Sequence, residues 1–209
     1  MAFAFIRTEK VKSTSMMATI QRHNQDREKL TRRVHPELEH LNREYQALCY
    51  DENSTYTERF HQRTEGIKYR KDAVLAIEVV VAYSPEAAGT FNFNDWERSN
   101  LEFMATYFGN NIDNIISASV HFDETTPHIH YLIVPRVGDR LCCKEFLGGK
   151  QKLSKLQTAY AKKMSQFGLE RGSCFLDDPE NKTRKHTELK DFYKEQSKED
   201  RFIVDYGRY

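Results

Sequence analysis

Three histidines fall within ten residues, in the run His121-Phe-Asp-Glu-Thr-Thr-Pro-His128-Ile-His130. Alternate residues of a β-strand share a face. His128 and His130 therefore project together, and Ile129 turns the other way. The short Phe-Asp-Glu-Thr-Thr-Pro link is rich in turn formers and predicts a hairpin. Counting back through that turn sets His121 opposite His128, on the face shared by Ser117 and Ser119. Three imidazoles converging with one side open match a catalytic metal site, which keeps coordination positions for substrate. A lone histidine is more often an ordinary hydrogen-bonding core residue. Three of the chain's eight in one short run, beside Asp123 and Glu124, favour the metal. Either carboxylate can serve as a further ligand or as the acceptor that fixes an imidazole tautomer. All-nitrogen ligation suits Zn²⁺, whereas a nearby carboxylate and a phosphate substrate favour Mn²⁺ or Mg²⁺. Such an ion polarises a phosphoryl oxygen and stabilises the charge that builds up in the transition state.

The elements needed to hold this hairpin are legible around it. Residues 114–121 and 128–135 read as its two strands, and residues 72–83 as a β-branched central strand covered on both faces. Residues 2–9 read as a first strand. Ser13, Thr14 and Ser15 offer caps for a helix running to about Leu30. Residues 32–71 are polar and read as loops with one or two short helices. Asp95 is the expected cap of a helix whose Trp96, Leu101, Phe103, Met104, Tyr107 and Phe108 form an apolar stripe. A further helix over 153–167 carries Leu153, Leu156, Tyr160 and Met164 on one face, with Gly168 ending it. The tail from Asn181 reads as polar and mostly helical. Interspersed strands and helices, with a hairpin as the clearest pair, predict an α+β fold with a mainly antiparallel sheet and flanking helices.

The chain has 209 residues, the size of one domain, and a formal net charge of only +1. That total conceals segregation. Residues 1–72 carry 14 Lys/Arg against 11 Asp/Glu (net +3), residues 73–143 carry 3 against 9 (net −6), and residues 144–209 carry 15 against 11 (net +4). A basic–acidic–basic chain with the histidines in its acidic middle is compatible with a nucleic-acid partner. No apolar run approaches the ~20 residues of a membrane span, so no membrane contact is expected. The N-terminus lacks the basic start of a signal peptide. Cys49, Cys142, Cys143 and Cys174 form no C-x-x-C pair, which suits free thiols in a reducing cytoplasm.

The histidine run resembles the H-x-D-E-x-T-P-H-x-H metal motif of the HUH endonucleases, and within them the MobV relaxases, the Mob/Pre plasmid mobilisation and recombination proteins. Arg22-His23-Asn24 with Arg27 resembles that family's first motif, although the family pattern His-Asn-x-Arg is one residue shorter. His40-Leu41-Asn42 with Glu44 and Tyr45 resembles the second, with Arg43-Glu44 inserted into its Asn-Tyr pair. Arg70-Lys71-Asp72-Ala73-Val74 leads into a strand as the family's does. Leu169-Glu170-Arg171-Gly172, then Lys185-His186 and a final helix, is similar to the end of the relaxase domain.

The resemblance implies a single palm-like relaxase domain over residues 1–209. It implies a cytoplasmic, plasmid- or mobile-element-encoded enzyme that nicks and rejoins one strand of single-stranded or hairpin transfer-origin DNA. His121, His128 and His130 would hold the metal, with Glu124 catalytic beside them. The matching nucleophile is His23, assisted by Arg27, with Tyr45 and Tyr50 as the alternatives. A neutral imidazole, with a free pKa near ~6.5, is nucleophilic at neutral pH, whereas a tyrosine at ~10 needs activation. Longer family members carry a C-terminal dimerisation region that this chain lacks, so a full-length protein would be homodimeric.

Basic residues in 10–33 and 144–163 can track a phosphate backbone. The expected DNA contacts are Arg22, Asn24, Asn42, Lys68, Arg70 and Lys71. A non-catalytic recombination or repressor protein with a structural metal is the competing reading. A histidine-triad nucleotide hydrolase fails because the third alternate position is Leu132.

Overall fold

A computed structural model describes residues 1–26, 35–45, 49–51 and 53–172. The strands are β1 (Ala2–Val11), β2 (Arg43–Glu44), β3 (Ala76–Tyr83), β4 (Ile115–His121), β5 (His128–Ile133), β6 (Arg136–Val137), β7 (Arg140–Leu141) and β8 (Leu169–Arg171). The helices are α1 (Thr14–Gln25), α2 (Tyr56–Arg63), α3 (Phe93–Tyr107), α4 (Cys143–Leu147) and α5 (Lys150–Met164). Six strands form one sheet in the order β2-β4-β5-β3-β1-β8, and β6 with β7 makes a small separate hairpin. Pairing in the large sheet is antiparallel except between β1 and β8. The expected α+β, mainly antiparallel architecture is therefore the observed one.

Helices cover the sheet unequally on its two faces. On one face, Trp96, Leu101 and Met104 of α3 and Leu156, Tyr160 and Met164 of α5 pack on Val79, Val81, Val120, Ile129 and Tyr131. On the other, Met17 of α1 with Tyr56 and Phe60 of α2 packs on Val11, Ala76, Leu132 and Val134. Residues at even positions of β5 and at odd positions of β4 from Ser117 onward, past a register shift between Ile115 and Ser117, belong to this second face, so the hairpin histidines lie beneath α1.

Local chemistry sets the helix starts. Ser13 caps α1 by accepting the Met16 N–H. Thr55 and Glu58 form a reciprocal capping box on α2, a device that satisfies two of the amide groups a helix start leaves bare. Asn92, not Asp95, caps α3; its side chain accepts the Asp95 N–H, and Asp95 lies in the first turn. An Asn three residues before an Asp leaves two plausible caps in the sequence, and the earlier one is used. Leu153 is exposed rather than on the buried stripe of α5, which is Leu156, Tyr160, Ala161 and Met164. α1 ends at Gln25 with Asp26 as its C-cap, short of the expected Leu30; residues 27–30 and the expected helical tail lie outside the described residues. Among the described residues no helix is long and apolar enough to cross a membrane.

Candidate active site

The hairpin register brings the histidines together as their spacing requires. His121 pairs with His128, and Ser119 with His130. Ring centroids are 5.2 Å apart for His121 and His128, 4.9 Å for His121 and His130, and 5.0 Å for His128 and His130. The turn that joins them is anchored from outside. Asn42 Oδ1 accepts the Phe122 N–H at 2.6 Å, and the His35 N–H donates to the Asp123 carbonyl at 3.0 Å.

Two of the three imidazoles have their tautomers set. His128 Nδ1 lies 2.8 Å from the Thr126 carbonyl, and His130 Nδ1 lies 3.0 Å from Glu78 Oε1. A carbonyl only accepts, as does an ionised carboxylate. Each Nδ1 therefore carries the proton and leaves the Nε2 lone pair for a cation, the usual way an outer partner prepares a histidine ligand. Burial raises the pKa of the Glu78 carboxyl, and attraction to His23 and Arg7 opposes that shift.

Glu124 sits among the rings. Its oxygens lie 3.7 Å from His23 Nε2, 3.9 Å from His121 Nδ1 and 3.9 Å from His128 Nε2. Donor atoms within 4.8 Å of one another form two overlapping groups, His23/His121/His130 and His121/Glu124/His128. Imidazoles plus one carboxylate, two of the imidazoles with fixed tautomers, suit a divalent cation. His121 belongs to both groups, His130 to the first, and His128 and Glu124 to the second.

His23 projects from the last turn of α1, with ring centroids 5.0 Å from His130 and 5.5 Å from His121. Its side chain remains 36% exposed, so a substrate can reach it. The helix is pinned on both sides of His23. Gln21 Oε1 accepts the Tyr56 N–H at 3.0 Å, and Asn24 Nδ2 donates to the Tyr56 hydroxyl at 3.2 Å. That hydroxyl also bonds Ser119 Oγ at 3.2 Å, directly across the hairpin from His130. Burial, reinforced by the charge of Glu44, raises the Tyr56 pKa and keeps this hub neutral. Gln25 adds a bond to Glu44, which Arg59 holds in turn.

The remaining expected site residues divide into four groups. Arg22 is exposed on α1, its guanidinium folded onto the Ala18 carbonyl and the Thr19 hydroxyl. Arg27 lies outside the described residues. Asn24 and Asn42, expected to contact DNA, make hydrogen bonds within the protein. Asn24 is 8% exposed and bonded to Tyr56, and Asn42 is bonded to the hairpin turn, so both amides brace the site from within. Lys68, Arg70 and Lys71 are exposed. Lys68 and Arg70 line a cleft of about 840 Å³ together with Lys10, Lys12, Arg140 and Lys144. The cleft lies before β3 begins, whereas His130 and His128 pair with Val80 and Ala82 further along it. At ~3.3 Å per residue the two sites are roughly 20 Å apart.

Neither alternative tyrosine reaches the histidines. Tyr45 packs into the core on the opposite face of the sheet. The Tyr50 hydroxyl donates to the Asp113 carbonyl, beyond the far end of β4 from His121, and burial raises its pKa. Sequence reasoning missed Glu78 and Tyr56. An acidic residue inside an otherwise apolar central strand was a signal for Glu78. Tyr56, sixty-odd residues from its Ser119 partner, gave none.

Comparison with known proteins agrees with this geometry. The Mob/Pre family model, described as plasmid recombination enzyme, matches residues 1–198. A plasmid recombination enzyme type 2 of Staphylococcus aureus is 32% identical over 206 residues, covering 93% of this chain and 46% of that protein. A type 3 enzyme of Staphylococcus aureus is 30% identical over 186 residues, covering 82% of this chain and 44% of that protein. The chain thus spans less than half the length of these relatives. A Mn-bound MobM relaxase domain with plasmid pMV158 oriT DNA superposes with a TM-score of 0.75 at 26% identity, covering 92% of this chain and 99% of that one. A second, with a 23-nucleotide oriT DNA, gives 0.76 at 25% identity, covering 93% and 98%. In fold the chain is similar to these MobM relaxase domains. The chain belongs to the Mob/Pre family of plasmid recombination enzymes.

Proposed function

We propose that this chain is the catalytic part of a metal-dependent relaxase that nicks and rejoins one strand of plasmid transfer-origin DNA through a histidine. The observation that carries this reading is the placement of a half-open His23 about 5 Å from His130, over a preformed donor cluster. The reaction follows from that placement. The His23 lone pair forms a bond to phosphorus, and the bond from phosphorus to the 3′-oxygen breaks. The 3′-oxygen takes up a proton and leaves as a hydroxyl, while the 5′ end stays on the imidazole as a phosphoramidate. Attack by a 3′-hydroxyl reverses the step and rejoins the strand. Proximity supports this directly, because holding the reacting groups in place removes much of the entropic barrier.

His121, His128 and His130 would hold the cation, with Glu124 as the adjoining carboxylate. When bound, the ion supplies Lewis-acid polarisation of a phosphoryl oxygen. The Mn-bound state of the MobM domains supports Mn²⁺, and the donor set admits Mg²⁺. Glu78 and the Thr126 carbonyl hold imidazole protons at Nδ1, and Tyr56 holds the nucleophile helix. A structural metal would be enclosed by four protein ligands, whereas here His23 and Glu124 are both about one-third exposed. The basic cleft containing Lys68 and Arg70 offers the DNA a second, electrostatic contact. A DNA substrate and the free thiols of Cys49, Cys142 and Cys143 support action in the cytoplasm.

The test is incubation with Mn²⁺ and single-stranded oligonucleotides tiled across the replicon that encodes the chain. The expected result is a detergent-resistant protein–DNA adduct at one site, lost in His23→Ala. Absence of nicking with every divalent metal tried would overturn the reading.

A further inference from the structure

The face that carries the histidines is only half covered. Met17, Tyr56 and Phe60 of α1 and α2 pack over Val11, Ala76 and Leu132. Further along β1, among the described residues, that cover ends. Phe5 is 52% exposed, and the side chains of Arg7 and Glu9 are 61% and 54% exposed. Their neighbours Ala4 and Ile6 pack into the core on the opposite side. Among the described residues β8 pairs only with Ala2–Ala4, so from Phe5 onward β1 is paired by β3 alone; a large aromatic ring this exposed on a sheet face is still unusual, because strand aromatics normally find cover.

The register fixes where this bare strip lies. Phe5 pairs with Ala82, and Ala82 with His128. Arg7 pairs with Val80, and Val80 with His130. Each is two strands from a histidine of the cluster, about 10 Å at ~4.8 Å per strand. The strand between them presents only Ala82 and Val80, so no bulky side chain rises as a barrier. An aromatic face and a guanidinium side by side, continuous with a phosphodiester site, suit a nucleotide: base on the ring, phosphate on the cation.

We propose that Phe5 and Arg7 form a nucleotide subsite next to the nicking centre, with a base of the single strand stacked on Phe5 and its phosphate held by Arg7. The subsite rests on the relaxase reading and deepens it by placing the strand across β1 and β3. Glu9, which pairs with Arg7 at 4.0 Å, would release it when phosphate binds. Stacking on an aromatic ring accepts any base, so this subsite holds and orients the strand and leaves sequence choice to other contacts.

The sequence provides a direct probe. The chain has one tryptophan, Trp96, which is fully buried. Phe5→Trp therefore adds the one exposed indole among the described residues, and a base stacked on it quenches its emission. The full chain is titrated with a short oligothymidylate at low salt. Quenching of Phe5→Trp should follow the binding curve read by anisotropy of a labelled oligothymidylate. Phe5→Ala should bind at least about fivefold more weakly, the lower end of a stacking loss. Phe5→Tyr should restore binding, and Arg7→Gln should lower the salt slope of log K by about 0.7, the value for one phosphate contact on a single strand.

Binding with unquenched Phe5→Trp emission and an unchanged Phe5→Ala affinity overturns the subsite, as does failure of the wild-type chain to bind oligothymidylate. Neither result touches the relaxase reading, which stands or falls on the nicking adduct.

Discussion

Replacing Tyr56 by Phe removes one buried hydroxyl and leaves the ring that fills the core between α2 and the sheet. The hydroxyl accepts from Asn24 Nδ2 at 3.2 Å and meets Ser119 Oγ at the same distance. Asn24 is 8% exposed, and its Oδ1 has no partner among the described residues. The variant strands the amide donor as well. A buried polar group left unsatisfied costs about 1–3 kcal/mol, so unfolding by urea should show a loss of that size with an unchanged slope. The functional effect should be larger than the stability loss implies. The lost bond is the tie between the residue after His23 and the strand that carries His121, and a displacement of about 1 Å in a reacting group can cost ~100-fold in rate. Single-turnover nicking of the origin strand should fall by about that factor, while oligonucleotide affinity stays within about threefold. The double variant Tyr56→Phe, Asn24→Leu should regain part of the stability, since the stranded donor is gone, without regaining the rate. An unchanged nicking rate beside a lost 1–3 kcal/mol would refute the argument, because Tyr56 would then only fill space.

Other outcomes follow from the same geometry. Glu78→Gln should weaken Mn²⁺ binding by about 10–100-fold, the usual cost of losing the outer partner of a ligating histidine; calorimetry on the purified chain reads this, and unchanged affinity contradicts it. Alanine at Lys68 and at Arg70 should each reduce the salt slope of origin-strand binding by about 0.7 to 0.9 and leave the cleavage rate at saturating DNA unchanged. Phe60→Ala, at a fully buried position, should cost about 3–5 kcal/mol in a urea titration, against at most a few tenths for the exposed Leu153→Ala.

The hairpin was readable because it depends on short-range rules. A strand period of two and a short turn fix which side chains meet, and the observed pairing of His121 with His128 follows from them. His23 was reached by resemblance, and the fold sets its ring 5.0 Å from that of His130 and 5.5 Å from that of His121. What remained hidden depends on long-range pairing. Asn24 and Asn42 read as DNA contacts, because a polar side chain gives no sign of whether its partner is a ligand or a group of the protein itself. Tyr45 entered through the resemblance, and β2, two residues long, is too short for any periodicity in the sequence to reveal which face its neighbour takes. The charge pattern gained meaning in the same way. Lys10, Lys12, Lys68 and Arg70 from the first third meet Arg140 and Lys144 in one cleft, a convergence that a net charge of +1 conceals.

The central claim is that His23 is the residue that attacks. Mass mapping of the protein–DNA adduct, after proteolysis and nuclease trimming, tests it most directly. The account predicts a nucleotide remnant on the peptide containing His23, bonded through nitrogen and therefore labile in acid. A remnant on Tyr45, Tyr50 or any other tyrosine, stable in acid, would contradict it.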